Sequence, residues 1–280
     1  MHPVQRGREA FGGRLRALRE DAGLTGTALA AKLGWPGSKV SKIEHGRQTA
    51  TVEDVRVWVA AVEGSADTLA DLLTDLRSMR LEYRSWARLV RRGVAARQRA
   101  ILPLDASTTL LRAFEPAVIP GLLQTAEYAR HVLESVVALR QLPRDTTEGV
   151  RARLERQRAL YEPGKQFRFL VTEAALRYLV CPPEVLRGQL DRLLAVAGLA
   201  NVELAVLPFG TQLPFPAMHG FWLYDDRLVL VDTVSAELAL RDQDDVLLYE
   251  RLFELLWEQA APGAEAAQLI ALASQSPLAR

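Results

Sequence analysis

The sequence predicts an α+β protein, with an all-α helix-turn-helix bundle ahead of a larger α+β domain built on a small mixed sheet. Three observations predict it. Over residues 11–62 apolar side chains recur at helical spacing (Phe11, Leu15, Leu18; Leu24, Ala28, Leu29; Val40, Ile43; Val55, Trp58, Val62), with breaks at Gly23, at 34–37 and at Gly46. After Leu104 helical runs alternate with short apolar runs of strand type, the pattern of an α+β domain. Charge divides along a similar line: residues 1–101 carry 18 Lys/Arg against 11 Asp/Glu, whereas residues 102–280 carry 17 against 23. A basic head on an acidic remainder fits a nucleic-acid reader joined to a separate interaction or sensing domain.

The first helix is expected over 9–22, closed by Gly23 as C-cap. Thr25 is the expected N-cap of the second, and Pro36 fits the first turn of the third, where its missing N–H costs nothing. The second and third helices are joined by a four-residue turn containing glycine, as in a helix-turn-helix. The third buries only Val40 and Ile43, which leaves Ser38, Lys39, Ser41 and Lys42 facing outward. Small polar and cationic side chains on a short helix suit a DNA major groove. A fourth helix follows from Thr51, with Glu53 and Asp54 in its first turn, and a fifth covers 65–79.

Residues 14–62 resemble the Xre/Cro-type helix-turn-helix family, through Leu18-Arg19-Glu20, Gly23-Leu24-Thr25, Leu29-Ala30, Leu33-Gly34 and the run from Ser38 to Gly46. The resemblance implies a buried ion pair between Arg19 and Glu44 that sets the angle between the first and third helices. Many members of that family carry glutamine at the first positions of the second and third helices. Here those positions are Gly26 and Gly37, so bidentate amide contacts to adenine are absent there. Ser38, Lys39, Ser41 and Lys42 remain for base edges, and Thr25, Arg47, Gln48 and Thr49 for phosphate. Backbone N–H groups at Gly37 complete the expected DNA-binding set, since no side chain blocks a phosphate there. Double-stranded DNA is the expected partner, read by a homodimer on paired half-sites.

The domains are expected at 1–79, 80–103 and 104–280. The middle segment is a basic linker or helix, with Arg77, Arg80, Arg84, Arg88, Arg91, Arg92, Arg97 and Arg99 interleaved with Tyr83 and Trp86. It reads either as a solvated connection or as an added backbone contact. In the last domain helices are expected over 108–114, 125–139, 146–161, 183–197, 244–260 and 264–274. Strands are expected over 167–172, 202–207, 221–224 and 228–233, with a tight turn at Asp225-Asp226, giving a sheet of four or five. The helix 183–197 between two strands suggests a βαβ passage.

Nothing in this domain assembles a catalytic set. The histidines (His2, His45, His131, His219) stand singly, Cys181 precedes two prolines without a nearby base, and no phosphate loop, nucleophile elbow or CxxC is present. The chain therefore reads as a non-enzyme, with no metal and no cofactor. One cysteine fits a reducing cytoplasm. No eighteen-residue apolar window is present, and residues 1–10 lack the apolar stretch of a secretory signal, so a membrane location is not expected.

Two stretches stand out: 114–130, and 206–210 taken with Pro214-Phe215-Pro216 and 219–222. With 172–177 they resemble the WhiJ-like domain that follows an Xre head in many regulators. That resemblance implies a transcriptional regulator often paired with a small BldB-like protein, in an antitoxin-like or developmental arrangement. Sequestration of that partner, with DNA binding serving autoregulation, is the alternative reading. Aromatics and prolines at strand ends line a pocket or pack a core; for a pocket that binds an effector or partner the candidates are Glu115, Arg151, Phe209, Phe215, Trp222 and Tyr224. The last long helix is apolar over more than one face, which suits burial against its sheet and against a second subunit.

Overall fold

The computed structural model describes residues 3–80, 82–85, 93–142 and 145–275. The chain divides into two compact units, 1–82 and 83–280. No helix among the described residues is long and apolar enough to cross a membrane.

The first unit is five helices: α1 (Pro3–Asp21), α2 (Gly26–Leu33), α3 (Gly37–Glu44), α4 (Val52–Ala61) and α5 (Ala66–Arg80). Their ends are set by local chemistry. Thr25 caps α2 by accepting from the Ala28 N–H at 3.1 Å, and Gly34 closes it in the left-handed region at φ 65°. Thr51 and Asp54 form a reciprocal capping box on α4, with bonds of 3.0 and 2.9 Å. Leu15, Leu29, Val40, Ile43, Val55 and Trp58 form one core with Leu72 and Leu76 of α5. Two boundaries differ from the sequence reading. The first helix begins before residue 9, and Pro36 is the N-cap of α3 rather than part of its first turn.

The second unit is a sheet between two helical layers. Its elements are β1 (Glu82–Ser85), α6 (Val94–Ser107), β2 (Leu110–Glu115), α7 (Ala126–Arg140), α8 (Thr146–Arg156), β3 (Gln166–Thr172), α9 (Pro183–Val196), β4 (Val202–Leu207), β5 (Phe221–Tyr224), β6 (Leu228–Asp232), β7 (Ala236–Leu240), α10 (Gln243–Trp257), β8 (Ala261–Pro262) and α11 (Gly263–Gln275). The strand order is β1-β7-β6-β5-β2-β3-β4-β8. The centre, β2-β3-β4, is parallel, and β5, β6, β7 and β8 pair antiparallel. The expected βαβ passage is β3-α9-β4. On one face Leu111, Ala113, Phe169, Val171, Leu204 and Val206 meet Leu186, Leu190 and Leu193 of α9 and Ile270 of α11. On the other, Phe114, Leu170, Ala205, Phe221 and Val229 are covered by Val246, Phe253 and Leu256 of α10.

Three expectations are corrected here. Residues 108–114 are not helical: β2 is a central strand buried on both faces, so it lacks the alternation that marks a half-exposed one. Among the described residues the sheet has eight strands rather than four or five, because β1, β7 and the two-residue β8 carry little periodic signal. The stretch 94–103, expected within a basic linker or helix, is the body of α6, and the second unit starts at Tyr83. The N-terminus of α6 is held by Asp145, whose carboxylate accepts from the Val94 and Ala95 N–H groups at 3.0 Å each. The side chains from Arg77 to Arg92, including Tyr83 and Trp86, lie outside the described residues.

Candidate nucleic-acid interface and a cavity in the second unit

Helix α3 has a sharp division of faces. Val40, Ile43 and Glu44 are buried, whereas Gly37, Ser38, Ser41, Lys42 and His45 are exposed. Ser38, Lys42 and His45 recur at i, i+4 and i+7, so they share one outward stripe. His45 was missed by the sequence reading, although its spacing from Ser38 and Lys42 was the available signal. It is the C-cap of α3, and its Nδ1 lies 2.8 Å from the Ser41 carbonyl.

The pose of α3 is fixed by the ion pair that the family resemblance implied. Arg19 Nε donates to Glu44 Oε1 at 2.6 Å and Nη2 to Oε2 at 3.2 Å, a two-pronged pair with both side chains buried. Arg19 Nη1 also donates to the Leu24 carbonyl at 2.6 Å, tying the same cation to the start of the helix-turn-helix. Beside it α1 lies so close that a Cβ at Gly12 would sit 2.3 Å from the Ile43 carbonyl oxygen.

The expected DNA-binding residues fall into four groups. Ser38, Ser41 and Lys42 face solvent. Thr25, Arg47 and Gln48 are exposed around them, Thr49 is half-buried, and the Arg47 and Gln48 N–H groups both donate to the Lys42 carbonyl, at 2.8 and 3.1 Å. Thr25 accepts with its oxygen as the α2 cap and keeps its O–H to donate. Gly37 opens α3 with no side-chain cap, and a Cβ there would meet nothing within 4 Å. Lys39 departs from the expected free outward face. Its ammonium is 2.7 Å from Asp54 Oδ1 and 3.8 Å from the centroid of the Trp35 ring, so it joins α3 to α4. Its position, next to Val40 rather than in register with Lys42, turns it toward α4.

The second unit contains a partly open cavity of about 280 Å³ between α6, α7, α8 and the sheet. Glu115, Trp222 and Tyr224 of the expected pocket set line it. The other three do not. Arg151 is on the exposed side of α8, 3.8 Å from Glu148, and Phe209 and Phe215 stand exposed in the segment between β4 and β5. Trp222 Nε1 donates to Glu115 Oε1 at 2.8 Å. Burial pushes the Glu115 carboxyl up to about 7 against the pull of that bond.

Four guanidinium groups line the same space: Arg97, Arg140, Arg153 and Arg156. Arg97 pairs with buried Glu237, and Arg156 pairs with Asp105 at 2.7 Å and donates to Gln98 at 2.9 Å. Arg153 instead donates to two neutral amide oxygens, Gln124 at 2.6 Å and Gln98 at 3.5 Å. Burial and the nearby Arg156 charge bring its pKa down to about 10. The Asp232 carboxyl, at the end of β6, feels all four cations, although burial dominates and raises its pKa. Sequence reasoning missed these arginines. Their signal was the placement of Arg153 and Arg156 at i+4 and i+7 from Gly149, on the inner face of an amphipathic helix.

The raised carboxyl of Glu115 gives a signed expectation. The folded state holds that proton more tightly than the unfolded chain, so its contribution to stability is greatest below the usual carboxyl value of 4.5 and is lost as pH rises to about 7. Glu115→Gln keeps an acceptor for Trp222. Urea unfolding at a series of pH values should show the variant equal to the parent near pH 4 and more stable by about 2–3 kcal/mol near pH 8.

A cationic helix held proud of a five-helix bundle, followed by an α+β unit with an arginine-lined cavity, defines a helix-turn-helix protein with a separate cavity-bearing unit. Residues 10–73 match a helix-turn-helix domain. Residues 98–271 match the family described as Domain of unknown function (DUF5753), and the chain belongs to that family. No curated protein matches the chain. Among solved structures it is similar to one described as "Structure of TrmBL2, an archaeal chromatin protein, shows a novel mode of DNA binding", at 11% identity and a TM-score of 0.35, over 75% of this chain and 69% of that one. A likeness that slight carries no inference.

Proposed function

We propose that this protein is a sequence-specific, DNA-binding transcriptional regulator whose second unit responds to an effector. The observation that supports it most is the outward stripe of α3, with Lys42 exposed and the helix fixed from behind by Arg19–Glu44. Lys42 and Ser38 read base edges, while the open N-terminus of α3 and the Thr25, Arg47, Gln48 and Thr49 groups grip phosphate. Lys39 serves the bundle through Asp54.

The test is a binding titration on a DNA fragment selected from a random library by the full chain. Lys42→Ala should weaken binding about tenfold and relax the preference at one base position. Lys39→Ala should change affinity far less and instead reduce thermal stability. Unchanged affinity for Lys42→Ala at fixed salt would remove this assignment.

A homodimer on two half-sites is part of the same proposal. The side of α5 that carries Leu72 and Leu76 is buried within its own unit, so the candidate contact is α10, where Leu247 and Leu248 stay exposed. A second reading, docking of a small BldB-like partner in an antitoxin-like arrangement, is favoured by exposed Phe209, Phe215 and Met218 between β4 and β5. Co-purification of one small partner, abolished by Phe209→Ser with Phe215→Ser, would support it.

A further inference from the structure

The cavity of the second unit combines an apolar wall with an unusual concentration of cations. Val118, Ile119, Val132, Val136 and Leu230 supply the wall. Arg97 and Arg156 have carboxylate partners built into the fold, Glu237 and Asp105. Arg153 differs. It is held by the side-chain oxygens of Gln98 and Gln124 and makes no ion pair among the described residues. Amide oxygens orient a guanidinium group without neutralising it, so the cation stays available to an anion entering the cavity. The Glu115 and Asp232 carboxyls act on Arg153 only at longer range, and its burial makes holding the charge unfavourable in the empty protein. A bound carboxylate converts that cost into a charge-assisted, two-pronged hydrogen bond.

Size narrows the ligand. A cavity of about 150 Å³ takes one benzene ring, so about 280 Å³ suits a bicyclic molecule or an equivalent chain. We propose that this cavity binds a small amphipathic organic acid, with its carboxylate on Arg153 and its apolar body against Val118, Ile119, Val132 and Leu230. This rests on the reading of the second unit as the effector-responsive part of the protein. Glu115 and Asp232 line the same space and would favour an amine, which is the competing chemistry.

Three bicyclic probes of one shape separate these chemistries: naphthoate, neutral naphthamide and cationic naphthylmethylamine. Each is titrated calorimetrically into the full chain, into Arg153→Gln, and into Val132→Phe, which fills the cavity from its apolar side. Thermal melts check that both variants are folded. The expected result is naphthoate binding at least tenfold tighter than either analogue, with that preference lost in Arg153→Gln and all binding lost in Val132→Phe. If Val132→Phe proves unfolded, Arg153→Gln alone decides through the ratio of naphthoate to naphthamide affinity. Tighter binding of the amide or amine, blocked by Val132→Phe, overturns the acid assignment and leaves an effector-binding unit standing. No binding of any probe up to about 1 mM overturns both. Naphthoate binding that neither variant alters places the probe outside the cavity and overturns the proposal.

Discussion

Glu44→Ala should lower the stability of the first unit by about 3 kcal/mol, because it removes the buried partner of Arg19 and leaves only the half-exposed Glu20, 3.3 Å away, to balance its charge. Arg19 is 7% and Glu44 9% exposed, so little water is at hand to replace the lost partner. Arg19→Ala should cost a similar amount by leaving the carboxylate alone, and would also release the Leu24 carbonyl from its 2.6 Å bond. Replacing both residues together, as Arg19→Met with Glu44→Leu, should recover much of that loss. A buried pair is expensive to break but close to neutral to replace by apolar groups of similar volume. Chemical unfolding followed through Trp58 fluorescence, with the four proteins compared as a thermodynamic cycle, measures all of this. A double variant no more stable than the singles would show that the pair itself contributes net stability.

Gly12→Ala should be comparably damaging, at about 3 kcal/mol, the upper end of overpacking penalties. The added methyl would lie 2.3 Å from the Ile43 carbonyl oxygen, 2.5 Å from that of Glu44 and 2.8 Å from the Glu44 carbonyl carbon. Those are backbone atoms at the end of α3, so no rotamer change relieves the clash. The two helices must separate, which displaces the outward stripe on α3 and stretches Arg19–Glu44 at once. Gly13→Ala is the control. A Cβ at position 13 meets nothing within 4 Å, and alanine is the better helix former there. Melting temperatures and DNA affinity should fall together for Gly12→Ala and stay level or rise for Gly13→Ala.

The first unit was legible in the sequence because its signals are local. Thr25, Gly34 and Thr51 each perform the capping chemistry their residue types imply, and the apolar periodicity names the buried side chains. The second unit was legible in part. Strands with flanking turns, such as Phe221–Tyr224, were readable to the residue. β2 was not, since burial on both faces erases the alternation that separates strand from helix, and Arg112 in its middle looks like a solvent-facing residue. In the structure Arg112 is buried, with Glu250 of α10 at 2.5 Å and the Asp225 carbonyl at 2.9 Å as partners. Both lie more than a hundred residues away in the chain, beyond any local window. The cavity followed the same rule. Glu115, Trp222 and Tyr224 were found from composition near strand ends, whereas Arg97, Arg140, Arg153 and Arg156 needed the tertiary fold to bring them to one place. Lys39 shows the converse error: exposure inferred from helical spacing ignored a carboxylate supplied by α4.

The register of β2 has a consequence for how the chain reaches its final form during synthesis. Leu111 pairs with Phe167 on one side and Tyr224 on the other, so the middle of the sheet joins segments made far apart in time. Contacts of such long sequence separation slow folding, whereas helical bundles with local contacts form rapidly. As the polypeptide leaves the ribosome, the five-helix head completes itself first, and the remainder stays open until residue 224 has emerged. Nascent chains stalled short of that point would carry a finished head on an unfinished body.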